Sequence, residues 1–118
     1  MENLESGALK IWVTNNDDRI TITWMGKSED RNPEIVLNPY VDGLLNSLKD
    51  KKVILDFKNL EFMNSSTIPP IIRLMKKLED EGISTEIIYN SSNYWQVFSF
   101  EILEQLSSLM AKVTIRGE

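Results

Sequence analysis

The feature that most constrains this sequence is a mostly apolar run at residues 53–57, followed by a second run and a cluster of hydroxyls. The first run opens with β-branched residues and contains one charge, Asp56, which predicts a strand buried on both faces. The hydroxyls are Ser65, Ser66 and Thr67, and an amphipathic helix follows them. Hydroxyls at the positive end of a helix dipole can cap the helix or carry a phosphate. Capping and phosphate binding are therefore both open at this junction.

Composition restricts the classes of function that need consideration. The 118 residues suffice for one domain, 1–118, and a hydrophobic fraction of 42% is typical of globular proteins. The formal net charge of -5 disfavours nucleic acid as a partner, because phosphate backbones require a basic surface. No apolar stretch is long enough for membrane insertion, and residues 1–5 lack the features of a signal peptide. We therefore expect a cytoplasmic protein.

Two residue types are missing, and several kinds of chemistry are excluded with them. The chain contains no cysteine and no histidine. Disulfides, Cys/His zinc sites and acid–base catalysis by histidine are thereby excluded. None of the five glycines falls in the spacing of a phosphate-binding loop. We expect no metal, no cofactor and no enzymatic activity.

The N-terminal part of the chain predicts an antiparallel hairpin. Apolar and polar residues alternate over residues 9–13 and again over residues 20–24. Residues 15–18 between them are Asn and Asp, which favour a turn. The polar segment 26–33 predicts a break in regular structure.

A proline predicts where the first helix begins. Residues 35–37 are compatible with a short edge strand. Asn38 followed by Pro39 is typical of an N-cap and the first helical position. The apolar face of the following segment predicts a helix from there to near Asp50.

Two further prolines constrain the second helix. Pro69 and Pro70 can both be accommodated only in the first turn of a helix, where the backbone N–H groups lack partners. Helical bonding is therefore predicted to begin at about Pro69 and to continue to Glu81. Residues 65–67 would lie in a loop or a single turn ahead of the helix, which leaves Ser65 and Ser66 accessible to solvent.

The rest of the chain alternates between strand and helix. Residues 85–89 and 113–115 predict strands, and an aromatic-rich helix is predicted to follow the cap at Asn93. This order predicts an α/β fold, a mixed sheet that opens with an antiparallel hairpin and is flanked by helices. The strand at residues 53–57 should lie at its centre.

The segment from residue 53 to residue 66, with the helix behind it, resembles the central motif of the STAS domain. That domain is the fold of bacterial anti-sigma factor antagonists and of the cytoplasmic tails of sulfate transporters. The resemblance covers about residues 9 to 115, and it implies a STAS-like fold. Residues 94–98 are also similar to a STAS-like group of small standalone regulators.

In the antagonists the motif is a strand, then Asp-Ser-Ser or Asp-Ser-Thr, then Gly and a helix, and the first hydroxyl is phosphorylated. The resemblance places Asn64 at the family's Asp, Ser65 at the phosphorylated residue, Ser66 beside it and Thr67 at the Gly. Asn64 and Thr67 depart from the family's pattern. Ser65 is therefore the candidate phosphorylation site, with Ser66 and Thr67 as alternatives, and Asn64, Ser66 and Thr67 are candidate partner contacts.

A second candidate contact comes from the loop after the second strand. The antagonists have a Gly-Glu-Leu-Asp-like turn there, whose acid lies near the phosphorylation site. Gly26 matches that glycine, Glu29 falls at the place of the acid, and Asp30 follows. Glu29 and Asp30 are thus candidate partner-binding residues, and a solvated loop is the alternative interpretation.

The resemblance implies a non-enzymatic regulator, an anti-sigma factor antagonist. It implies a partner serine kinase of the anti-sigma factor type, which has a histidine-kinase-type ATP-binding fold and binds the unphosphorylated protein. A serine phosphatase would reset the switch. The alternative is a STAS-like scaffold or ligand-sensing subunit that is never phosphorylated, which the departures at Asn64 and Thr67 favour.

Three other features are interpreted as structural. Asp56 has no histidine or second acid to work with, so we expect a hydrogen-bonded residue at the strand end. The aromatic residues around Trp95 could anchor an interface, but we expect them to pack in the core. The cluster of Arg73, Lys76 and Lys77 is interpreted as the solvated face of its helix.

Overall fold

The computed structural model describes residues 2–118, and within them a seven-stranded sheet is covered by three helices. The strands are β1 (Leu4–Ser6), β2 (Leu9–Asn16), β3 (Arg19–Ser28), β4 (Lys52–Asp56), β5 (Leu60–Met63), β6 (Thr85–Tyr89) and β7 (Val113–Gly117). The helices are α1 (Glu34–Leu48), α2 (Ile68–Asp80) and α3 (Tyr94–Ser107). No helix in residues 2–118 has both the length and the apolar character needed to cross a membrane.

The sheet is mixed, with an antiparallel half and a parallel half. Its strand order is β1-β2-β3-β4-β6-β7, and β5 pairs with the far end of β3 beyond β4. The strands β1, β2 and β3 are antiparallel neighbours, whereas β4, β5, β6 and β7 make parallel pairs. The predicted mixed sheet, the opening hairpin and the central position of β4 are confirmed. The three-residue strand β1 escaped prediction because it is too short for a period of two to show.

The two faces of the sheet have different surroundings. Ile22, Leu55 and Ile87 are register partners on one face, and all are buried. The buried apolar residues of all three helices belong to the same hydrophobic cluster as these side chains. On the other face, Ile54 and Asp56 of β4 are only half-buried. The prediction of a strand buried on both faces is therefore wrong, because the helices cover one face of the sheet.

The start of α1 differs from the sequence prediction. The helix begins at Glu34, so residues 35–37 are helical, and Pro39 lies inside the helix. Leu37 is buried and lies four residues before the buried Val41, so the apolar stripe of the helix includes this extra turn. Burial of Leu37 offsets the hydrogen bond that Pro39 cannot donate. The predicted edge strand and the predicted helix start at Pro39 are both wrong.

β3 continues to Ser28, through the first part of the segment that predicts a loop. Gly26 has a φ of +79°, and an added Cβ would lie 2.0 Å from the carbonyl oxygen of Ala8. β3 pairs with β4 as far as Thr23 and with β5 from Gly26 onward, and its register with β5 shifts between Gly26 and Lys27. This bulge places one extra residue, Glu61, on β5. Beyond it Ser28 pairs with Met63, so the loop after Ser28 begins beside the end of β5.

Candidate functional site

The candidate site lies where β5 ends and α2 begins. Asn64 has an extended backbone, and Ser65–Thr67 form a single 3-10 turn directly before the helix. Pro69 and Pro70 lie in the first turn of α2, where their missing N–H groups cost no helical hydrogen bond. The proline prediction is confirmed, with α2 beginning at Ile68, next to the predicted start.

The three hydroxyl residues of the turn differ in exposure. Ser65 is exposed, Ser66 is half-buried and Thr67 is 0% exposed. A 3-10 helix has three residues per turn, so these consecutive side chains point in directions about 120° apart. Ser65 and Ser66 are accessible to another protein, as predicted, whereas Thr67 has an internal position.

Thr67 belongs to a buried chain of hydrogen bonds. Its hydroxyl lies 2.7 Å from the hydroxyl of Ser28 and donates to the amide oxygen Oδ1 of Asn64, also at 2.7 Å. Because the single hydroxyl proton of Thr67 goes to Asn64, the hydroxyl of Ser28 donates to Thr67. The end of β3 is thereby joined to the 3-10 turn through side chains that solvent does not reach.

The other end of the Asn64 side chain binds the loop after β3, which contains the candidate contacts Glu29 and Asp30. Its Nδ2 group donates to the backbone carbonyl of Asp30 at 2.8 Å, and its backbone N–H donates to the carbonyl of Ser28 at 3.0 Å. Glu29 and Asp30 are exposed. The structure therefore brings together the residues that the sequence singled out, with Glu29, Asp30 and Ser65 on the surface and Asn64 and Thr67 as their support.

Both ends of the Asn64 amide are used at the position where the antagonist motif has Asp. One end of the side chain must accept from Thr67 and the other must donate to a carbonyl. An amide has both functions, whereas an ionised carboxylate only accepts hydrogen bonds. Asn64 can therefore make both hydrogen bonds, whereas an ionised aspartate could make only the one from Thr67.

Replacing Asn64 with aspartate will destabilise the protein by about 1 kcal/mol, because a carboxylate cannot donate to the carbonyl of Asp30 and opposes it with an acceptor. The measurement is urea unfolding at neutral pH. Asn59→Asp is the matched control, because Asn59 is an exposed residue between β4 and β5. Equal unfolding midpoints for the two variants would show that the amide of Asn64 has no structural role.

Ser66 lies at a shallow depression whose lining includes two arginines and one glutamate. It is formed by polar and proline side chains: Arg31, Glu34, Asn38, Ser66, Pro69, Pro70 and Arg73.

The basic cluster on α2 is partly paired with α1. Arg73 donates two hydrogen bonds to the carboxylate of Asp42, at 3.0 and 2.9 Å, and these bonds are the main reason that the pKa of Asp42 is lowered. Lys77 also pairs with Asp42, at 3.7 Å. The predicted solvated cluster is therefore partly tied to α1, with Lys76 exposed.

Asp56 has the role expected from the sequence. Its Oδ1 atom accepts from the backbone N–H of Lys58 at 3.0 Å, which closes the turn between β4 and β5. The carboxylate is therefore engaged in holding the turn that leads to the candidate site.

Gln96 is the important residue that sequence reasoning missed. It is fully buried, and its Nε2 group donates to the carbonyls of Phe57 and Leu60 at 2.8 and 2.9 Å. Its Oε1 atom accepts from the backbone N–H of Asn90 at 2.7 Å. A polar residue inside an aromatic segment was the available signal. The side chain fixes the start of α3 against the turn that precedes β5.

The aromatic segment at the start of α3 is divided between core and surface. Phe100 is fully buried, with its ring centroid 5.0 Å from that of Phe57, and Trp95 is half-buried. Tyr94 and Phe98 are 94% and 73% exposed. The expectation of core packing is therefore wrong for Tyr94 and Phe98, because the helix turns these positions away from the sheet.

Comparison with known proteins gives no match to any family model and none to a curated protein sequence. Solved structures do match over nearly the whole chain. The complex of the diguanylate cyclase SiaD with its activator SiaC from Pseudomonas aeruginosa contains a chain with a TM-score of 0.69 and 17% identity, covering 100% of both chains. An anti-sigma factor antagonist from Mycobacterium paratuberculosis has a TM-score of 0.65 and 13% identity, covering 94% of this chain and 90% of its own.

The unphosphorylated anti-sigma factor antagonist SpoIIAA has a TM-score of 0.58 and 18% identity, covering 92% of this chain and 89% of its own. The chain has the fold of the anti-sigma factor antagonists. The predicted STAS-like fold is thereby confirmed, and at these identities the likeness concerns the fold. In this SpoIIAA-like fold, the candidate site follows the two parallel strands β4 and β5 and begins α2.

Proposed function

We propose that this chain is a phosphorylation-controlled protein-interaction switch that acts by binding a partner rather than by catalysis. Its partner is a serine kinase of the anti-sigma factor type, which binds the unmodified protein and phosphorylates Ser65. The observation that carries this proposal is the exposure of Ser65 on a short turn that a buried hydrogen-bond chain holds in place. The fold shared with anti-sigma factor antagonists supports it.

The choice of Ser65 follows from access and position. A kinase must reach the hydroxyl that it modifies, and Ser65 is the exposed member of the three. Ser66 is half-buried and remains the alternative. Thr67 would have to leave its buried bonds with Ser28 and Asn64 before it could be modified. The resemblance to the antagonist motif independently assigns Ser65.

Phosphorylation would act on the interface more than on folding. A phosphate adds nearly two negative charges at neutral pH, beside the exposed acids Glu29 and Asp30. The turn directly precedes the N-terminal end of α2, whose dipole favours negative charge, and Arg31 lies by the same depression as Ser66. The fold can thus tolerate the phosphate, whereas a partner matched to the unmodified surface would be repelled.

The proposal includes a cycle of partners in the cytoplasm. The kinase would have a histidine-kinase-type ATP-binding fold, and a serine phosphatase would remove the phosphate and restore binding. The exposed pair Glu29 and Asp30 would contact basic residues of the kinase next to its active site. Asp56 would have no catalytic part, because it holds the turn after β4.

A second candidate is a scaffold or ligand-sensing subunit with the same fold that is never phosphorylated. The observation that favours it is Asn64, whose amide replaces the acid of the antagonist motif and is used internally. The structural neighbour SiaC, which activates the diguanylate cyclase SiaD, shows that the partner of such a fold can be a cyclase. Under this candidate the exposed turn would contact a target enzyme directly.

Replacing Ser65 with aspartate will weaken kinase binding at least about tenfold, because the new charge lies at the interface and close to other acids. Ser65→Ala will bind like the unmodified protein. The measurement is isothermal titration of each variant with serine kinases of the anti-sigma factor type from the same genome.

Ser84→Asp is the control, since Ser84 is exposed directly before β6, at the opposite end of the parallel strands from the candidate site. It should bind like wild type. If Ser65→Asp and Ser84→Asp bind the kinase equally well, the turn is not the interface. If the wild-type chain does not bind the kinase at all, the scaffold candidate replaces the switch.

A further inference from the structure

An apolar stripe on α3 faces solvent. Tyr94, Phe98 and Ile102 are 94%, 73% and 57% exposed, and they are spaced by four residues along one side of the helix. At 1.5 Å per residue the stripe is about 12 Å long. Leu109, which is also strongly exposed, follows the end of the helix. Large side chains aligned in this way are unusual on a free surface and mark places where another molecule binds.

The stripe has no role in the packing of its own helix. The buried residues of α3 are Gln96, Phe100 and Leu103, which lie on the side that faces the sheet. The helix also has an N-cap, since the side chain of Asn93 accepts from the backbone N–H of Trp95. Other residues therefore fix the position of α3, and the exposed side chains of the stripe do not contribute to its packing.

The charges around the stripe indicate what covers it. The charged residues of α3 are Glu101 and Glu104, and it has no lysine or arginine. Glu104 accepts from the hydroxyl of Tyr89 at 3.0 Å, whereas Glu101 is exposed three residues after Phe98, beside the stripe. The exposed carboxylate of Glu101, on a helix that has no lysine or arginine, favours an occupant that places a basic side chain beside its apolar face.

We propose that Tyr94, Phe98 and Ile102 are the docking surface for an amphipathic helix of a partner protein. That helix would carry apolar residues at i, i+4 and i+7, with lysine or arginine beside them to meet Glu101. The proposal goes beyond the switch at Ser65, because the stripe is a separate surface.

The test is selection from a displayed library of helical peptides on the wild-type chain, with soluble Phe98→Ser protein as competitor. We expect the enriched peptides to be amphipathic and basic, and to lose at least tenfold in affinity on Phe98→Ser and on Glu101→Lys. Ser65→Asp should change their affinity less than twofold, so failure of the switch and failure of this surface can be told apart. Phe98→Ser should keep the wild-type unfolding midpoint, because Phe98 is exposed.

Other outcomes would overturn the proposal. Enriched peptides that are acidic, or that bind Phe98→Ser as tightly as wild type, would exclude a basic helix at the stripe. A wild-type dimer that Phe98→Ser converts to a monomer would identify a second copy as the occupant. Binding of the wild-type chain, but not of Phe98→Ser, to anionic phospholipid vesicles would identify a membrane surface instead.

Discussion

Replacing Gly26 with alanine will destabilise the protein by about 4 kcal/mol, at the upper end of single-residue effects. Two costs combine at this position. The φ of +79° is one that residues with a side chain rarely adopt, and the new Cβ would lie 2.0 Å from the carbonyl oxygen of Ala8. That oxygen also accepts from the N–H of Lys27 at 3.0 Å, so relief of the contact would break the bulge. The measurement is urea unfolding followed by circular dichroism.

Gly43→Ala is the matched control for this substitution. Gly43 lies in α1, and within residues 2–118 nothing comes within 4 Å of its added Cβ. Alanine there should be neutral or stabilising by about 0.5 to 1 kcal/mol, because glycine is costly inside a helix. An unfolding free energy for Gly26→Ala within about 1 kcal/mol of wild type would contradict the bulge as the element that delivers residues 28–30 to the site.

Replacing Gln96 with leucine will destabilise the protein by about 3 kcal/mol, since three hydrogen bonds of roughly 1 kcal/mol each are lost without a change in side-chain size. Those bonds join α3 to the carbonyls of Phe57 and Leu60 and to the N–H of Asn90. The turn before β5 should also exchange its amide hydrogens faster, which hydrogen exchange at residues 57–60 will measure.

The control for Gln96 is Gln105→Leu on the same helix. Gln105 is exposed, so its replacement should leave the free energy of unfolding within about 0.5 kcal/mol of wild type. Faster exchange at residues 57–60 in Gln105→Leu as well would point to a general loosening of α3. Unchanged exchange in Gln96→Leu would remove the proposed link between α3 and the turn.

The parts of the fold that are marked by strong local signals could be predicted from the sequence. The apolar run predicted the central strand β4, and the two prolines predicted the first turn of α2; both elements occur in the structure, although β4 is buried on one face only. The opening hairpin follows from alternation on both sides of a turn rich in Asn and Asp. These features depend on the backbone preferences of a few neighbouring residues, and such local preferences can be read from the sequence.

Where distant segments meet, prediction was weaker. The burial of Leu37 outweighed the Asn38-Pro39 start signal, and only the packed structure contains that contact. The chain of Ser28, Thr67 and Asn64 joins residues far apart in sequence, and nothing local marks their contact. The rotation of α3 on the sheet likewise decides which of its aromatic residues are buried and which are exposed, and the sequence does not give that rotation.

The account rests most directly on the modification of Ser65. The decisive measurement is the mass of the intact chain, followed by mapping of the modified peptide, after incubation with ATP and the serine kinase that binds the unmodified protein. The account predicts one phosphate on Ser65 of the wild-type chain and loss of that uptake in Ser65→Ala, with Ser66→Ala modified as in wild type. Uptake of phosphate by Ser65→Ala at the wild-type rate would contradict it.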